Sequence, residues 1–343
     1  MKKVFETDKE RVRMAVLGMG RQGQIHSKNI AYKIPEAELV CVSDISIEIA
    51  EKVGIEGVEL YDDYKEILAR DDIDAVVIAT STDTHEQIIK ETAEAGKDMF
   101  CEKPIALTLE DIDEVLGIVE EAGVKFMVGF NRRFDPTFKR VKQHVLDGNV
   151  GDPYIVNITS RDPKPPHYEY LKVCGGIFFD TSVHDFDMAR FLAEDEIVEV
   201  YATGSVLVDE RIGELGDLDT TMISFKFANG AVGSINNSRK TGYSYDQRVE
   251  IFGSNGCAVA NNETPNRVEL TNPEGTHKDV PLYFNIERYP EAFFGEVRAF
   301  VEAVHNDEPV PVTGEDGRKA VVLSIAAQKS YDENRPVKVS EIG

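Results

Sequence analysis

The chain has 343 residues, of which 42% are hydrophobic, so it is long enough for two domains with sizeable cores. Its 38 Lys and Arg stand against 62 Asp and Glu, and the net charge of −24 argues against nucleic acid or an anionic membrane surface as a partner. There is no apolar run of membrane-spanning length, no apolar core of a signal peptide near the N-terminus, and no CxxC among the four cysteines, so we expect a cytoplasmic protein with reduced thiols.

The first 130 residues alternate short apolar strands with helices. Continuous apolar strands separated by helices predict a parallel sheet that is covered on both faces. Strands are predicted at 13–20, 37–44, 73–81, 98–104 and 125–130, and helices at 21–33, from about 47, around 64–70, at 84–96 and at 109–123.

After residue 130 the predicted strands are longer and their connections differ. Asn229–Gly230 and Asn255–Gly256 each join two strands and are strong hairpin signals, which predict a largely antiparallel sheet. Strands are predicted at 154–161, 197–208, 220–227, 231–239, 247–254 and 257–262, and helices at 136–148, 175–192, 290–305 and 314–333. The change of architecture places a domain boundary near residue 130.

The segment VLGMGRQG contains a GxGxxG motif after a predicted strand and at the start of a helix. Gly18 makes a tight turn, Gly20 lets the backbone approach a pyrophosphate, and Gly23 allows close packing of helix on strand. Asp44 ends the next strand, where a carboxylate accepts hydrogen bonds from the adenosine ribose and repels a 2′-phosphate. The motif therefore predicts NAD in preference to NADP; the alternative is a glycine turn without a cofactor.

Other candidate residues follow the fourth and fifth predicted strands. Ligands of open parallel sheets lie beyond the carboxyl ends of the strands, so Glu102 and Lys103 are expected at the edge of the cofactor. The alternative for Lys103 is a solvated surface lysine. In GFNRRFDP, one arginine could bind a substrate hydroxyl or nearby carboxylates, or could pair with the acidic surface. We interpret His26 and His85 as structural or close to the cofactor.

The predicted helix 175–192 carries an acid and a histidine on its apolar stripe. Asp180 and His184 are one turn apart on this stripe, so something must satisfy them. Two alternatives to a catalytic pair remain open, namely a pair of metal ligands and a buried structural pair. No further cluster of ligands suggests a metal, and we predict none. Gly175 and Gly176 leave room for close approach of the backbone to the cofactor.

Several motifs together resemble the glucose–fructose oxidoreductase/inositol dehydrogenase family over essentially the whole chain. AVLGMGRQGQIH, ATSTDTH and CEKP are similar to the broad family, whereas GFNRRFDP, SRDPKPP, GGIFFDTSVHDFDMARF and YSYDQRVEIFGSNG resemble its inositol 2-dehydrogenase branch. The resemblance implies a Rossmann-type dinucleotide-binding domain at 1–130 and, at 131–343, an α+β domain with a large open sheet for substrate binding and oligomerisation. The helix near 314–333 is expected to pack back on the first domain, and a homotetramer is implied.

The resemblance also assigns residues to the site. It implies NAD-dependent oxidation of a cyclic polyol, myo-inositol first, by a catalytic set of Lys103, Asp180 and His184. Polyol contacts are expected from Arg133, Asp162, Asp180, His184, Tyr243 and Tyr245, and cofactor contacts from Gly18, Met19, Gly20, Arg21, Gln22, Gly23, Asp44, Thr80, Ser81, His85, Glu102 and Lys103.

Small departures from the branch leave the inositol isomer open. Cys174 stands where serine is expected, Thr181 and Ser182 where Met and Thr are frequent, and Ser244 where glycine is usual. Two other functions remain as alternatives: a related NAD(P)-dependent sugar dehydrogenase, and a non-enzymatic NAD-sensing regulator. The presence of Lys103, Asp180 and His184 argues against the regulator.

Overall fold

The computed structural model describes residues 11–343. The first ten residues, and with them the stretch assessed above for a signal peptide, lie outside the described part. Two compact units emerge from the contacts: residues up to Phe130 together with Phe293–Arg318, and Asn131–Ala292 together with Lys319–Gly343. The two continuous domains of the prediction thus differ from the units by the segment Phe293–Arg318. Within the described chain, every helix is too short or too polar to cross a membrane.

The first unit is built on a six-stranded parallel sheet. Its strands are β1 (Val12–Leu17), β2 (Ala37–Ser43), β3 (Glu59–Tyr61), β4 (Ala75–Ile78), β5 (Asp98–Glu102) and β6 (Phe126–Gly129), in the order β3-β2-β1-β4-β5-β6. The central strands are buried along almost their entire length, which explains their continuous apolar sequence. In this sheet, the short and largely exposed β3 is the strand that the sequence pattern did not predict.

Helices connect these strands. They are α1 (Arg21–Lys33), α2 (Ile47–Glu51), α3 (Tyr64–Leu68), α4 (Thr82–Glu94) and α5 (Leu109–Ala122). The chain order reverses beside β1, which has β2 on one side and β4 on the other. The segments after β1, β2, β4 and β5 therefore share the carboxyl edge of the sheet, where open α/β sheets bind their ligands.

The second unit contains a seven-stranded mixed sheet. Its strands are β7 (Pro153–Arg161), β8 (Ile197–Ser205), β9 (Thr220–Phe227), β10 (Val232–Ser238), β11 (Asp246–Gly253), β12 (Cys257–Ala260) and β15 (Val337–Lys338), in the order β12-β11-β7-β10-β9-β8-β15. Both Asn-Gly hairpins are confirmed, because β9 pairs with β10 and β11 with β12 in antiparallel fashion. The β7–β10 pair is parallel, which the sequence did not indicate. A separate exposed hairpin consists of β13 (Glu269–Asn272) and β14 (Gly275–Lys278).

The remaining helices complete the chain. They are α6 (Pro136–Leu146), α7 (Tyr168–Leu171), α8 (Val183–Ala193), α9 (Glu210–Glu214), α10 (Asn285–Arg288), α11 (Pro290–Asn306) and α12 (Gly314–Glu333), with 3₁₀ turns at Asn131–Phe134 and Val339–Glu341. The predicted helix 175–192 is not uniform. It begins as a π-helix, Phe178–Ser182, and continues as α8.

Candidate active site

The glycine turn after β1 has the geometry that its three glycines require. Gly18 has a φ of +87°, which L side chains rarely adopt, and a Cβ there would lie 2.7 Å from the carbonyl oxygen of Ala79. A Cβ on Gly23 would lie 1.8 Å from the carbonyl oxygen of Gly18, so α1 packs against the turn without room for a methyl group. A Cβ on Gly20 would meet nothing within 4 Å, so this side of the turn is open to a ligand.

Asp44 holds this turn in place. Its carboxylate accepts the backbone N–H of Met19 at 2.8 Å and that of Ser46 at 2.9 Å. Each oxygen retains lone pairs for a ribose hydroxyl. The Met19 side chain is fully buried, and the backbone N–H of Met19 donates to Asp44. Met19 therefore contributes to the shape of the turn, and its contact with the cofactor stays a prediction.

The residues fit the pyrophosphate of a dinucleotide. Gly20 is the N-cap residue of α1 and has no side chain that could accept from the first N–H groups of the helix. These groups and the positive end of the helix dipole are therefore available for an anion. Arg21 and Gly20 are exposed and Gln22 is half-buried at the same helix end. Ser81 is exposed at the start of α4, again without a side-chain cap, and Thr80 precedes it.

His85 lies deeper than the prediction placed it. Its ring is buried, with Nδ1 2.8 Å from the carbonyl oxygen of Pro104 and Nε2 3.2 Å from that of Thr80. Burial lowers the pKa of His85, which favours the neutral ring. His85 thus lies between the turns after β4 and β5, and because a neutral imidazole has one N–H, it donates to one of these two carbonyl oxygens.

Glu102 and Lys103 follow β5, and the Lys103–Pro104 peptide bond is cis. Lys103 is half-buried. The Glu102 Oε1 atom lies 2.7 Å from Nε2 of the fully buried His26, so Glu102 is engaged inside its own unit. Glu296 of α11 joins them, and ligand-type atoms of the three residues lie within 4.8 Å of one another. No local pattern indicates this cluster, because His26 and Glu296 lie 76 and 194 residues from Glu102 along the chain.

Asp180 lies within the π-helix rather than on a regular helical stripe. Its Oδ1 accepts the Tyr170 hydroxyl at 2.7 Å, and its Oδ2 accepts an N–H of Arg239 at 2.9 Å. His184 stands at the start of α8 and is half-buried. Both predicted residues are thus present in the second unit, but each is less buried than the stripe implied.

The deeply buried acids of α8 are instead Asp185 and Asp187. Arg132 donates to Asp185, and Arg133 donates to Asp187 with Nε 2.9 Å from Oδ2. The Arg133 guanidinium also lies over the Phe191 ring, 5.5 Å from its centroid. The arginines of GFNRRFDP therefore neutralise buried carboxylates, and Arg133 forms an ion pair with the helix that carries His184. Its contact with a substrate stays a prediction.

Asp162 shares the electrostatic surroundings of Asp180. Burial, with the negative charge of Asp180 as the next cause, raises the pKa of Asp162 to about 7. Arg239 and Arg132 act in the opposite direction. A carboxyl whose pKa is raised by burial and by a neighbouring acid is typical of functional sites.

The two predicted tyrosines lie in different surroundings. Tyr245 is buried against the Phe284 and Tyr289 rings, and burial raises its pKa well above the usual value. Tyr243 is 41% exposed, donates to Asp246 at 2.6 Å and accepts from Arg161 at 3.1 Å. Arg161 also contacts Asn236 on the solvent-facing side of the sheet, so the structure does not group Tyr243 with Tyr245 as a pair.

The structure shows the local surroundings of two departures from the branch pattern, Ser244 and Ser182, and of the two glycines before the π-helix. Ser244, where glycine is usual, has a φ of +79° and is therefore in a conformation that favours glycine. Gly175 and Gly176 both have positive φ, and a Cβ on Gly176 would lie 2.9 Å from Oδ1 of Asp217. This protein contact explains Gly176 without any approach to a cofactor. Ser182 donates to the buried Asn237 at 2.6 Å.

Comparison with known proteins agrees with this geometry. Residues 12–130 match the family described as an oxidoreductase family with an NAD-binding Rossmann fold, and residues 138–259 match the GFO/IDH/MocA C-terminal domain. The myo-inositol 2-dehydrogenase of Thermotoga maritima is 44% identical over 96% of this chain and 99% of its own length. The chain belongs to the GFO/IDH/MocA oxidoreductase family. It is therefore an NAD-binding oxidoreductase.

Solved structures extend the comparison to the fold. A putative myo-inositol dehydrogenase from Sinorhizobium meliloti 1021 matches with a TM-score of 0.93 and 42% identity, over 96% of this chain and 99% of that one. Scyllo-inositol dehydrogenase from Lactobacillus casei, with bound NAD(H) and scyllo-inositol, matches with a TM-score of 0.89 and 30% identity, over 96% and 100%. The family fold, a Rossmann sheet followed by a mixed-sheet domain, is that predicted from the sequence.

For this member of the GFO/IDH/MocA family, sequence reasoning missed the partners of the predicted residues. Arg239 and Tyr170 donate to Asp180, Arg239 also donates to Asp217, and Asn237 donates to Asp185. The sequence offers one signal for such residues, namely polar side chains at strand positions where alternation predicts buried apolar ones. Asn237 and Arg239 occupy such positions at the end of β10. Which acid each one meets is decided by tertiary structure.

Proposed function

We propose that this chain oxidises a cyclic polyol, myo-inositol first, to the corresponding 2-keto inosose with NAD. The observation that carries the proposal is the 44% identity to a myo-inositol 2-dehydrogenase over 96% of the chain. The glycine turn, Asp44 and the charged surroundings of Asp180 support it, because they supply a nucleotide site and a polar hydroxyl-binding site.

The first unit holds the cofactor in this proposal. The N-terminus of α1 and the backbone at Gly20 bind the pyrophosphate, and Asp44 accepts hydrogen bonds from the ribose. NAD supplies the acceptor for the hydride that leaves the carbinol carbon. A carboxylate at Asp44 disfavours the 2′-phosphate of NADP, which explains the choice of NAD.

Three side chains carry the proton chemistry. His184 accepts the proton of the hydroxyl that is oxidised, since a neutral imidazole does so near physiological pH. Lys103 donates to the same oxygen and stabilises its developing negative charge. Asp180 accepts a hydrogen bond from a neighbouring hydroxyl and orients the ring. The ammonium of Lys103 supplies the positive charge that a metal ion would otherwise supply, so we propose a reaction without metal.

Asp162 completes the polyol site in this proposal, because a carboxyl with a pKa of about 7 accepts or donates a hydrogen bond as the substrate requires. Arg133 supports α8 through Asp187. Tyr245 forms part of the buried wall behind the site. The exposed Tyr243 is assigned to the sheet surface together with Arg161.

We further propose a cytoplasmic homotetramer that assembles through the open sheet of the second unit. The outward side chains of this sheet include Ile155, Met222, Val232 and Phe252, all more than a third exposed. Apolar residues grouped on an exposed sheet face are typical of surfaces that pair with another subunit.

The experiment is NADH production from a panel of myo-inositol, scyllo-inositol, other inositols and aldoses, with NAD and with NADP. We expect the highest kcat/KM with an inositol and NAD, and unchanged activity after exhaustive EDTA treatment. The His184→Ala variant should lose about 10²–10⁴ in kcat, with the loss smaller at high pH, and should bind NAD as the wild type does.

Four results would contradict the proposal. Preference for an aldose would establish a related sugar dehydrogenase, and loss of activity on chelation with recovery on adding one divalent ion would establish a metal enzyme. A folded His184→Ala protein with wild-type kcat would remove the base from the mechanism. Tight NAD binding without turnover of any polyol or sugar would support the regulator.

A further inference from the structure

Arg239 is a fully buried cation in the second unit that no step of the proposed reaction uses. Its Nη1 lies 2.9 Å from Oδ2 of Asp180, and its Nη2 lies 3.2 Å from Oδ2 of Asp217. Burial by itself lowers the pKa of Arg239, but the charges of Asp180 and Asp217 outweigh it and raise the pKa. The side chain is therefore a permanent cation held between two carboxylates.

Asp217 anchors this arrangement to the backbone. Its Oδ1 accepts the N–H of Ile177 at 2.8 Å and that of Leu218 at 2.7 Å. The same oxygen would lie 2.9 Å from a Cβ on Gly176, so the glycine permits this close approach. The contacts thus run from the backbone just before the π-helix, through Asp217 and Arg239, to the carboxylate of Asp180.

The π-helix makes such a clamp necessary. Asp180 lies in the middle of Phe178–Ser182, and π-turns are rare, less favourable than α-turns and frequent at functional sites. The orientation of a carboxylate on such a turn depends on the groups that donate hydrogen bonds to it. Tyr170 donates to Oδ1 at 2.7 Å, but this residue is 43% exposed, whereas Arg239 is fully buried.

We propose that Arg239 is a positioning residue for the oxidation: together with Asp217 it fixes the direction of the Asp180 carboxylate and keeps it ionised to accept a polyol hydroxyl. The inference rests on the proposed function, since it acts through Asp180. It adds a residue pair that lies outside the catalytic set and outside the nucleotide site.

The test compares Arg239→Lys, Arg239→Met and Asp217→Asn with the wild type and with Arg248→Lys, a matched control whose guanidinium is 42% exposed and pairs with Asp246 in the same sheet. We expect Arg239→Met to lower kcat by about 100-fold with little change in NAD affinity, since misplacement of a catalytic group by about 1 Å costs that much. Arg239→Lys should recover part of the loss, and Arg248→Lys should have wild-type kcat.

Two readouts separate positioning from mere stability. Removal of the cation should raise the pKa of Asp180 in Arg239→Met, an effect that a merely structural residue would not have. In the Asp180→Asn background, the Arg239 substitution should change kcat very little, because its effect passes through Asp180. An unchanged Asp180 pKa, or additive effects in the two backgrounds, would overturn the inference.

The outcome is also readable if no polyol is oxidised. ¹³C NMR of carboxyl-labelled aspartates, assigned with Asp180→Asn, reports the pKa of Asp180 directly. In Arg239→Met that pKa should be higher than in the wild type, and in Asp217→Asn, which removes a nearby negative charge, it should be lower. An unchanged Asp180 pKa in both variants would overturn the inference. Inactivity of the wild type and of Arg248→Lys would contradict only the proposed function.

Discussion

At the scale of single residues, the buried charges fall into two groups. In the second unit, Arg132, Arg133 and Arg239 each meet a carboxylate, so burial does not leave these charges uncompensated. Glu296 of the first unit differs, because it is fully buried and neither carboxyl oxygen has a hydrogen-bond partner. Burial, and then the negative charge of Glu102, raise its pKa well above the usual value of 4.5.

Glu296 should therefore make stability depend on pH. The folded protein keeps this proton while the unfolded chain loses it above its usual pKa of 4.5, so the free energy of unfolding falls as pH rises. Glu296→Gln, which resembles the neutral acid, removes this slope of at most about 1.4 kcal/mol per pH unit. Urea unfolding at several pH values from 5 upwards should give wild-type and variant curves that diverge steadily.

The matched control is Glu302→Gln on the same helix, whose carboxylate is 43% exposed and pairs with Arg298. It should run parallel to the wild type over the whole range. Parallel curves for Glu296→Gln would show that Glu296 is ionised in the folded protein. A counter-charge such as a cation held with His26 and Glu102 would then be required.

At the scale of elements, two helix starts determine the site. The start of α1 is fixed by the contact of Gly23 with the turn at Gly18, and the start of α8 by the preceding π-helix. The π-helix removes the regular spacing on which the stripe argument depends. For this reason the two side chains, Asp180 and His184, are less buried than a regular helical stripe implies, and their roles stay a prediction.

Gly23→Ala tests the first of these helix starts. The added methyl group would lie 1.8 Å from the carbonyl oxygen of Gly18, so the turn must move. We expect a loss of about 1–3 kcal/mol in stability and a weaker affinity for NAD. Thermal unfolding with and without NAD, and titration calorimetry, measure the two effects.

Gly117→Ala is the comparison, because Gly117 lies in the exposed interior of α5 with nothing within 4 Å of the new methyl group. It should stabilise the protein by about 0.5–1 kcal/mol through helix propensity, with unchanged NAD affinity. Equal effects of the two substitutions would mean that the contact of Gly23 with Gly18 has no special role.

At the scale of the whole molecule, the open sheet carries the remaining prediction. Phe252, Ile155 and Val232 lie side by side across β11, β7 and β10 with exposed side chains. The proposed tetramer would bury this row, so Ile155→Lys should dissociate it by placing a charge in an apolar interface. Light scattering after gel filtration should give about four times the chain mass of 38.2 kDa for the wild type and less for the variant.

Tyr32→Lys is the control, since Tyr32 is 66% exposed on α1 of the first unit and lies outside this sheet. It should leave the mass unchanged. A monomeric wild type, or an Ile155→Lys variant with the wild-type mass, would show that the sheet face is not the assembly surface.

Local patterns in the sequence determined much of the protein. Apolar runs, Asn-Gly pairs and the spacing of Gly18, Gly20, Gly23 and Asp44 predicted the parallel sheet, both hairpins and the nucleotide turn. These features depend on residues that are close together along the chain or on a fixed strand-helix-strand unit. Lys103, Asp180 and His184 came from a family resemblance, and their roles remain a proposal.

Only the tertiary structure decided which charges meet. Arg239 reaches Asp180 from 59 residues away, and Arg132 reaches Asp185 from 53 residues away. Likewise, the segment Phe293–Arg318 joins the first unit, which brings Glu296 to Glu102. The physical reason is that a buried charge selects its partner by distance in space and by desolvation, and neither quantity is encoded in the local spacing of residues.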